Sequence, residues 1–316
     1  MTRGRVTILG SNGHIGHHAA RAFVAAGWEV TGFGRANRAP VAGMHFVQGD
    51  ADSIADLRAA IGDSDVVVNA LNLPYDKWDK GRMEALMGRV VAAMGSSGRT
   101  LLFPGNIYNY APAERVLTPD TVPLPPTPRG AIRQRVENML RAAAGRGDIQ
   151  VVILRAGDFF GPDSSGDWFD QVLLREAGKG KVSLPGRPGT GHAWAYLPDL
   201  ARAFEKLAWH RHEFDRFENF HFAGHFLTPE QLGAAVAAAG PAGLRVGRFP
   251  WLLITLMGLV NPVMREVGKM GYLWEHPMEL RDARLDAILG PDFATPLDQA
   301  MAATVAPYFA PAAQAA

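Results

Sequence analysis

The run Arg5-Val-Thr-Ile-Leu-Gly10-Ser-Asn-Gly13-His-Ile-Gly16 places three glycines directly after a short apolar segment. The apolar and β-branched residues predict a buried strand, and the alanine-rich segment 15–26 predicts a helix. Gly10 permits a tight turn, Gly13 lets a ligand approach the backbone, and Gly16 allows the helix to pack on the strand. The glycines therefore predict that a dinucleotide pyrophosphate binds at the helix N-terminus, with an ordinary turn that binds no ligand as the alternative.

Strand-like and helix-like segments alternate through the first half of the chain. Apolar strands are predicted at 28–33, 44–47, 65–70, 100–103 and 150–154, with amphipathic or alanine-rich helices between them. This alternation predicts an α/β fold, a Rossmann-type doubly wound parallel sheet. We expect residues 1–155 to form the dinucleotide-binding domain. Residues 156–316 then form a smaller, mainly substrate-binding region, with some segments returning to the sheet.

Composition excludes several classes of function. The 316 residues carry a net charge of +1, which argues against nucleic acid as a partner. The chain has no cysteine, which excludes disulfides and thiolate metal sites, and its histidines show no spacing that predicts a metal. The first predicted strand begins within a few residues of Met1, so we expect no signal peptide and a cytoplasmic protein. Arginine far outnumbers lysine, which is typical of a GC-rich bacterial source.

The most apolar segment of the chain spans residues 249–262. Its apolar run is well short of the roughly 20 residues that a membrane-spanning helix requires, so no membrane span is predicted. A buried helix, an apolar lid over a substrate and the face of a homodimer all remain open for it.

The spacing G-x-x-G-x-x-G resembles that of the extended short-chain dehydrogenases/reductases, the epimerase/dehydratase-like branch of that superfamily. The segment Leu154-Arg-Ala-Gly-Asp-Phe-Phe-Gly-Pro162 is similar to the family's Arg-Pro-x-x-x-Tyr-Gly-Pro motif. The segments 192–201 and 289–297 resemble two later blocks of the family, in the correct order. The resemblance covers almost the whole chain and implies a nicotinamide cofactor and a small-molecule substrate.

The residues after the second predicted strand, Phe33-Gly-Arg35-Ala-Asn-Arg38, bear on the choice of cofactor. NAD-selective folds usually have an acid there for the ribose hydroxyl, whereas this chain has two arginines that could clamp a 2′-phosphate. NADP is therefore predicted, with NAD and two merely solvated arginines as alternatives. The residues expected to contact the cofactor are Gly10, Asn12, Gly13, His14, Ile15, Gly16, Arg35, Arg38, Asp50, Ala51, Ala70, Leu71, Pro104, Arg133 and Ala156. Asp50 could instead, or also, cap the helix that begins near Ser53.

The family's catalytic Tyr-x-x-x-Lys pair does not occur anywhere in this sequence. The segment 126–137 resembles the block that normally carries the pair, and the resemblance puts Arg129 at the tyrosine and Arg133 at the lysine. Residues four apart share a helix face, so both arginines could face the cleft. Arg129 cannot act as an acid near neutral pH but could bind an anion or stabilise an alkoxide. Tyr108 is the nearest candidate proton donor, with water second. Solvated arginines and a tyrosine that only packs are the alternatives.

Aromatic residues in the second half predict a substrate pocket. His192 and Trp194 alternate along a predicted strand toward the expected substrate side. Together with Phe159, Phe160 and Trp168 they suggest an aromatic pocket. Core packing explains these residues equally well. The predicted function is an NADP-dependent reductase or dehydrogenase of a small carbonyl or hydroxy compound. A non-catalytic NADP-binding sensor or assembly protein and a sugar-nucleotide epimerase or dehydratase are the alternatives.

Overall fold

The computed structural model describes residues 3–74, 77–113, 115–163 and 167–309. The strands are β1 Arg5–Leu9, β2 Glu29–Gly34, β3 Met44–Gln48, β4 Val66–Asn69, β5 Thr100–Gly105, β6 Val116–Leu117, β7 Gln150–Arg155, β8 Asp158–Phe160, β9 Lys181–Leu184, β10 His192–Tyr196, β11 Phe217–His221, β12 His225–Leu227, β13 Arg245–Arg248 and β14 Glu279–Leu280. The helices are α1 His14–Ala25, α2 Ile54–Ile61, α3 Arg82–Met94, α4 Pro128–Gly145, α5 Leu197–His210, α6 Pro229–Ala239, α7 Trp251–Met257, α8 Pro262–Lys269, α9 Ala283–Leu289 and α10 Leu297–Phe309.

A seven-stranded sheet in the order β11-β7-β5-β4-β1-β2-β3 forms the centre of the molecule. All of its neighbouring strands run parallel. The chain builds outward from β1 to β3 and then crosses to β4 on the other side of β1. The predicted doubly wound α/β fold is confirmed, and the point where the winding reverses lies between β1 and β4.

Helices cover both faces of this sheet, which explains why its strands are continuously apolar. Along β4 the side chains alternate: Val66 and Val68 pack with the core that α1 and α5 cover, whereas Val67 packs with the core beneath α2, α3 and α4. Both sets are fully buried. Ordering the strands this way brings the carboxyl ends of β1, β2, β4, β5 and β7 to one edge of the sheet, where ligands bind in such folds.

Several helix boundaries follow from local capping. The Thr228 side chain and Gln231 form a reciprocal capping box at the start of α6. Thr127 caps α4, with Pro128 as its first residue, directly after the proline-rich segment that has no regular structure between 118 and 127. The cap of α2 is Ser53, whose side chain accepts a hydrogen bond from the Asp56 amide. Asp50 was therefore wrong as the alternative cap of this helix.

The second half of the chain builds a third core beside the main sheet. A three-stranded sheet, β12-β10-β8, and the pair β13-β9 lie in this part, while β11 joins the main sheet. The apolar segment 249–262 is not a buried helix: of α7 only Ile254 is buried, and its leucines are exposed. None of the described helices combines the length and apolar character that a bilayer crossing needs.

Candidate dinucleotide and active site

The glycine turn between β1 and α1 lies at the switch point of the sheet, and each glycine has a different constraint. Gly10 has a φ of +82°, a backbone conformation that residues other than glycine rarely adopt. A Cβ at Gly16 would lie 2.2 Å from the Gly10 carbonyl oxygen, so only glycine lets α1 start this close to the turn. A Cβ at Gly13 would meet that oxygen at 3.4 Å and no other described atom within 4 Å. Gly13 thus leaves open the space in which a pyrophosphate would lie against the N-terminus of α1, so the turn fits a dinucleotide.

Asn12 organises the loop that follows β2. Its side-chain oxygen accepts hydrogen bonds from the backbone amides of Arg38 (2.7 Å) and Ala39 (3.1 Å), and its Nδ2 donates to the Ala36 carbonyl (2.7 Å). Arg35 and Arg38 are both exposed on this loop, and neither guanidinium forms an ion pair with a described residue. The two cations predicted from the sequence are therefore held at the end of β2, beside the glycine turn, with their charges available to a ligand.

The remaining predicted cofactor residues lie along the same edge of the sheet. Asp50 follows β3 and is exposed; its Oδ1 accepts a hydrogen bond from the Asp52 amide at 2.9 Å. The Ala51 carbonyl accepts from Arg89 at 3.1 Å. Ala70 and Leu71 follow β4 and line the turn directly, because a Cβ on Gly10 would lie 3.0 Å from the Ala70 carbonyl oxygen. At β7, Ala156 is fully buried and donates its amide to the Gly105 carbonyl.

His14, the first residue of α1, connects the turn to the second half of the chain. Its Nδ1 lies 2.6 Å from Oδ2 of Asp167, and both side chains are about one-fifth exposed. Ile15 follows it in the first turn of α1, half-buried against the core that contains α5. The contact with His14 therefore holds the Asp167 carboxylate beside the N-terminus of α1, which is the end of a helix that attracts anions.

Arg133 is buried at the carboxyl edge of β5. Its Nη2 donates to the Pro104 carbonyl at 2.9 Å, and its guanidinium lies 5.5 Å from the ring centre of Trp78 and 5.1 Å from that of Phe103. Arg129, one turn earlier on α4, lies 5.9 Å from the Trp78 ring and forms an ion pair with Glu266, 3.3 Å from Nε. Both arginines are less than a tenth exposed. For Arg129 and Arg133, the alternative that both are merely solvated is therefore wrong.

Tyr108 lies beside these arginines on a short 3-10 turn directly after β5. The turn begins at Asn106, whose side chain accepts the Tyr108 amide at 3.1 Å. The phenol oxygen accepts a hydrogen bond from Nε1 of Trp168 at 3.4 Å. The backbone of Gly130 on α4 packs so closely on this turn that a Cβ there would lie 2.1 Å from the Tyr108 carbonyl oxygen. Close packing thus fixes the backbone that carries Tyr108 against the first turn of α4, which carries Arg129.

A second group of buried polar residues lies near the carboxyl ends of β5 and β7. Arg155 at the end of β7 forms a two-point ion pair with Glu137 on α4, at 3.1 and 2.7 Å, and both residues are buried. The Tyr110 hydroxyl lies 3.2 Å from Nε2 of His221, whose Nδ1 donates to the Leu117 carbonyl. Burial, reinforced by the charge of Arg155, lowers the pKa of His221 to about 3. His221 is therefore neutral at pH 7 and accepts from Tyr110.

Four of the five predicted pocket residues are neighbours. Phe160, Trp168 and Trp194 pack with the third core, and the His192 ring lies 5.1 Å from that of Trp194. Phe159 points the other way along β8 and packs with the core of α1 and α5. Both nitrogens of His192 are engaged inside the protein, Nε2 with Asp158 at 2.8 Å and Nδ1 with the Leu273 carbonyl at 3.1 Å.

The site includes residues that the sequence analysis did not single out. Trp78 and Glu266 contact the arginines of α4 from distant parts of the chain, and no spacing or motif indicates either contact. Asp167 and Trp274 likewise join the site only through tertiary packing: Trp274 lies 4.7 Å from the Trp168 ring. Asp158 had a signal, because it stands inside the family-like segment 154–162. Across the described part of the chain, no group of three or more His, Cys, Asp or Glu side chains could hold a metal ion.

A parallel sheet wound in two directions, with a glycine turn at its switch point, defines a Rossmann-type dinucleotide-binding fold. The family model that matches the sequence is that of the NAD dependent epimerase/dehydratase family, over residues 6–221. The chain belongs to this family, as the resemblance implied. Comparison with curated proteins finds no significant match.

Solved structures share the whole fold at low sequence identity. MoeE5, in complex with UDP-glucose and NAD, is 21% identical with a TM-score of 0.72, covering 96% of this chain and 98% of MoeE5. UDP-glucose 4-epimerase from Brucella ovis, in complex with NAD, is 16% identical with a TM-score of 0.74 and the same coverage of both chains. WbmH from Bordetella bronchiseptica, in complex with NAD⁺, is 20% identical with a TM-score of 0.71, covering 96% of this chain and 97% of WbmH.

Proposed function

We propose that the protein is a nicotinamide-dinucleotide-dependent oxidoreductase that acts on a small carbonyl or hydroxy compound. The observation that carries this proposal is one juxtaposition. A glycine turn with room for a pyrophosphate shares its sheet edge with a buried phenol and two buried guanidinium groups. The bound cofactor would supply the hydride chemistry.

In this proposal the residues up to 155 bind the dinucleotide, and the region from 156 onward mainly binds the substrate. Gly13, His14 and the first turn of α1 hold the pyrophosphate. The Asn12-supported loop and Asp50 hold the adenosine end. Ala70, Leu71, Pro104, Arg133 and Ala156 surround the nicotinamide end.

The chain's own chemistry then depends on Tyr108 and Arg129. A phenol can donate or accept a proton, whereas a guanidinium does not titrate near pH 7. We therefore assign the proton transfer to the Tyr108 hydroxyl, and to Arg129 the binding of substrate oxygen or of a substrate anion. The half-buried ring of Trp168 would form the apolar wall of the pocket, backed by the buried rings of Phe160 and Trp194 and by His192, which Asp158 holds.

The choice between NADP and NAD rests on two indications that disagree. The complexes of the solved structures named above hold NAD, which favours NAD. The loop of this chain has no carboxylate at the end of β2 and two exposed arginines, which favours a 2′-phosphate. We retain NADP as the proposed cofactor because the loop belongs to this chain, and NAD is the alternative.

A second candidate function is the epimerisation of a sugar nucleotide. It is favoured by structural neighbours with UDP-sugars or with epimerase in their titles. It is disfavoured by the absence of the Tyr-x-x-x-Lys pair, because such reactions depend on a tyrosine base. The same absence favours a non-catalytic dinucleotide-binding sensor, which label transfer separates from the oxidoreductase and sugar interconversion separates from the epimerase.

The test follows deuterium from NADPH or NADH, labelled at both C4 positions, into a metabolite extract by mass spectrometry. An oxidoreductase gives a labelled product. We expect the Tyr108→Phe variant, which keeps the ring and loses only the hydroxyl, to form it at least about tenfold more slowly. We expect Arg129→Leu to raise KM or lower kcat.

Three results would contradict parts of this proposal. Dinucleotide binding without any labelled product points to the sensor. Interconversion of UDP-glucose and UDP-galactose with no label transferred from the added cofactor points to the epimerase, which returns its hydride to the same molecule. Wild-type rates in Tyr108→Phe would assign the proton to another group, with water as the next candidate.

A further inference from the structure

Large apolar side chains are exposed together on one short segment of the second region. Among the described residues, the exposed ones include six within nine positions: Leu252 (76% exposed), Leu253, Leu256, Met257, Leu259 and Val260 (87% exposed). These six residues, called the leucine face here, lie on α7 and on the turn that follows it. Single exposed apolar residues need no explanation, but a contiguous group of this size marks an interaction surface.

The helix that carries the leucine face is firmly attached through its opposite side. Ile254 and Gly258 are buried, and Trp251 donates its Nε1 to the Pro185 carbonyl at 2.6 Å. The Trp251 ring also lies 4.8 Å from Phe249 and 5.4 Å from Trp274. The leucines therefore point outward from a fixed helix. Their exposure leaves in water an apolar surface that an interface would bury.

The stretch of chain that carries the leucine face contains cations and no carboxylate. Of the glutamates at its two ends, Glu266 is paired with Arg129 and Lys269, and Glu230 interacts electrostatically with Arg248. From residue 231 to residue 265 the sequence contains no aspartate or glutamate. The same stretch contains three exposed arginines, Arg245, Arg248 and Arg265. Arg248 precedes α7 by two residues, and Nε of Arg265 donates to the Gly258 carbonyl at 3.2 Å, beside the turn. Cations thus flank the apolar face at both ends.

This combination favours an anionic lipid surface over a second copy of the chain. A two-fold dimer would place the leucine face against itself and bring the same arginines together, with no carboxylate from 231–265 to balance them. An anionic membrane instead takes up the leucines at its interface and attracts the nearby arginines. We propose that the leucine face docks this protein peripherally on membranes that contain anionic phospholipid.

The docking surface is connected to the candidate active site by direct contacts. Glu266 on α8, which follows the leucine face, pairs with Arg129. Trp251 contacts Trp274, which contacts Trp168, the hydrogen-bond donor to Tyr108. Docking would therefore place α7 and α8, which contact residues of the candidate active site, next to the lipid surface. The proposal goes beyond the proposed function and does not depend on it, because lipid binding is measured without any turnover.

The experiment measures co-sedimentation of the full chain with two kinds of vesicle, pure phosphatidylcholine and phosphatidylcholine with about one-third phosphatidylglycerol. We expect binding to the anionic vesicles that weakens as salt is added. A triple variant, Leu252→Ser, Leu256→Ser and Leu259→Ser, should bind at least about tenfold more weakly. The matched control is Val122→Ser with Leu124→Ser, because those side chains are equally exposed (79% and 67%) on another loop. This control should bind as the wild type does.

A charge variant tests the electrostatic half of the proposal. Arg248→Gln with Arg265→Gln should lower binding to anionic vesicles and reduce its salt dependence. All of these side chains are exposed, so thermal unfolding should stay close to that of the wild type. The proposal is overturned if the wild type does not bind anionic vesicles, or if the triple variant and its control bind equally. It is also overturned if light scattering shows a lipid-free dimer that the triple variant abolishes, which would make the leucine face a contact between copies.

Discussion

The β1–α1 turn and the β5–α4 edge serve the same edge of one sheet, but different physics holds each in place. The turn depends on backbone geometry. Gly10 has a positive φ, and Gly16 lies so close to the Gly10 carbonyl that it has no room for a Cβ. The β5–α4 edge depends on buried charged side chains, among them Arg133 on the Pro104 carbonyl and Arg155 on Glu137.

This difference gives a physical reason why the chain keeps the family's glycine spacing at the turn but has no Tyr-x-x-x-Lys pair on α4. The turn tolerates no substitute at Gly16, because any Cβ there overlaps the main chain. Side-chain positions can exchange one hydrogen-bonding group for another when their neighbours adapt. At Arg133 the rings of Trp78 and Phe103 face the guanidinium, which stabilises a buried cation through the quadrupole of each ring.

The largest effect is expected from breaking the charged edge. Glu137→Leu leaves the Arg155 guanidinium buried without its carboxylate, so we expect the free energy of unfolding to fall by about 3–5 kcal/mol. Urea unfolding followed by circular dichroism measures this loss. The exposed pair of Glu176 with Lys179 gives the control, since Glu176→Leu should change stability by less than about 1 kcal/mol. Equal losses in the two variants would show that the buried pair does not stabilise this edge.

Breaking the turn should abolish binding and leave the fold intact. In Gly13→Val the new side chain extends into the pyrophosphate space, and its Cβ meets the Gly10 carbonyl oxygen at an ordinary contact distance of 3.4 Å. We expect dinucleotide affinity to fall at least about 100-fold, equivalent to about 2.7 kcal/mol, with an unchanged melting temperature. Titration calorimetry measures the affinity. In Gly145→Val at the end of α4, a Cβ meets no described atom within 4 Å, so this control should keep full affinity. Retained affinity in Gly13→Val would place the pyrophosphate elsewhere.

The smallest effect sharpens the comparison at the cofactor's adenosine end. Arg35→Asp replaces a cation with a carboxylate that repels a 2′-phosphate and accepts a hydrogen bond from a ribose hydroxyl. We expect the ratio of NADPH to NADH affinity to fall about tenfold or more. Arg245→Asp on β13 is the control, since it makes the same charge change in a different sheet. An unchanged ratio in Arg35→Asp would remove the argument for NADP.

The sequence by itself determined the doubly wound sheet, the position of the glycine turn and the helix that follows it, predicted at 15–26 and observed at His14–Ala25. These features are local: alternation of apolar runs, caps such as Thr228, and glycines that follow a strand are written within a few consecutive residues. The wrong cap predicted for α2, Asp50, lies only three residues from the observed cap, because Asp50 and Ser53 both carry a side-chain oxygen that accepts hydrogen bonds.

Only the tertiary structure decided which side chains meet. The ion pair of Arg129 with Glu266 joins residues far apart in the chain, and Trp78 contacts both arginines from the segment between β4 and α3. It also decided that the leucines of α7 face outward, since an apolar run does not state whether its partner is the protein's own core. Periodicity reports which residues avoid water, whereas the packing of distant elements decides what they contact instead.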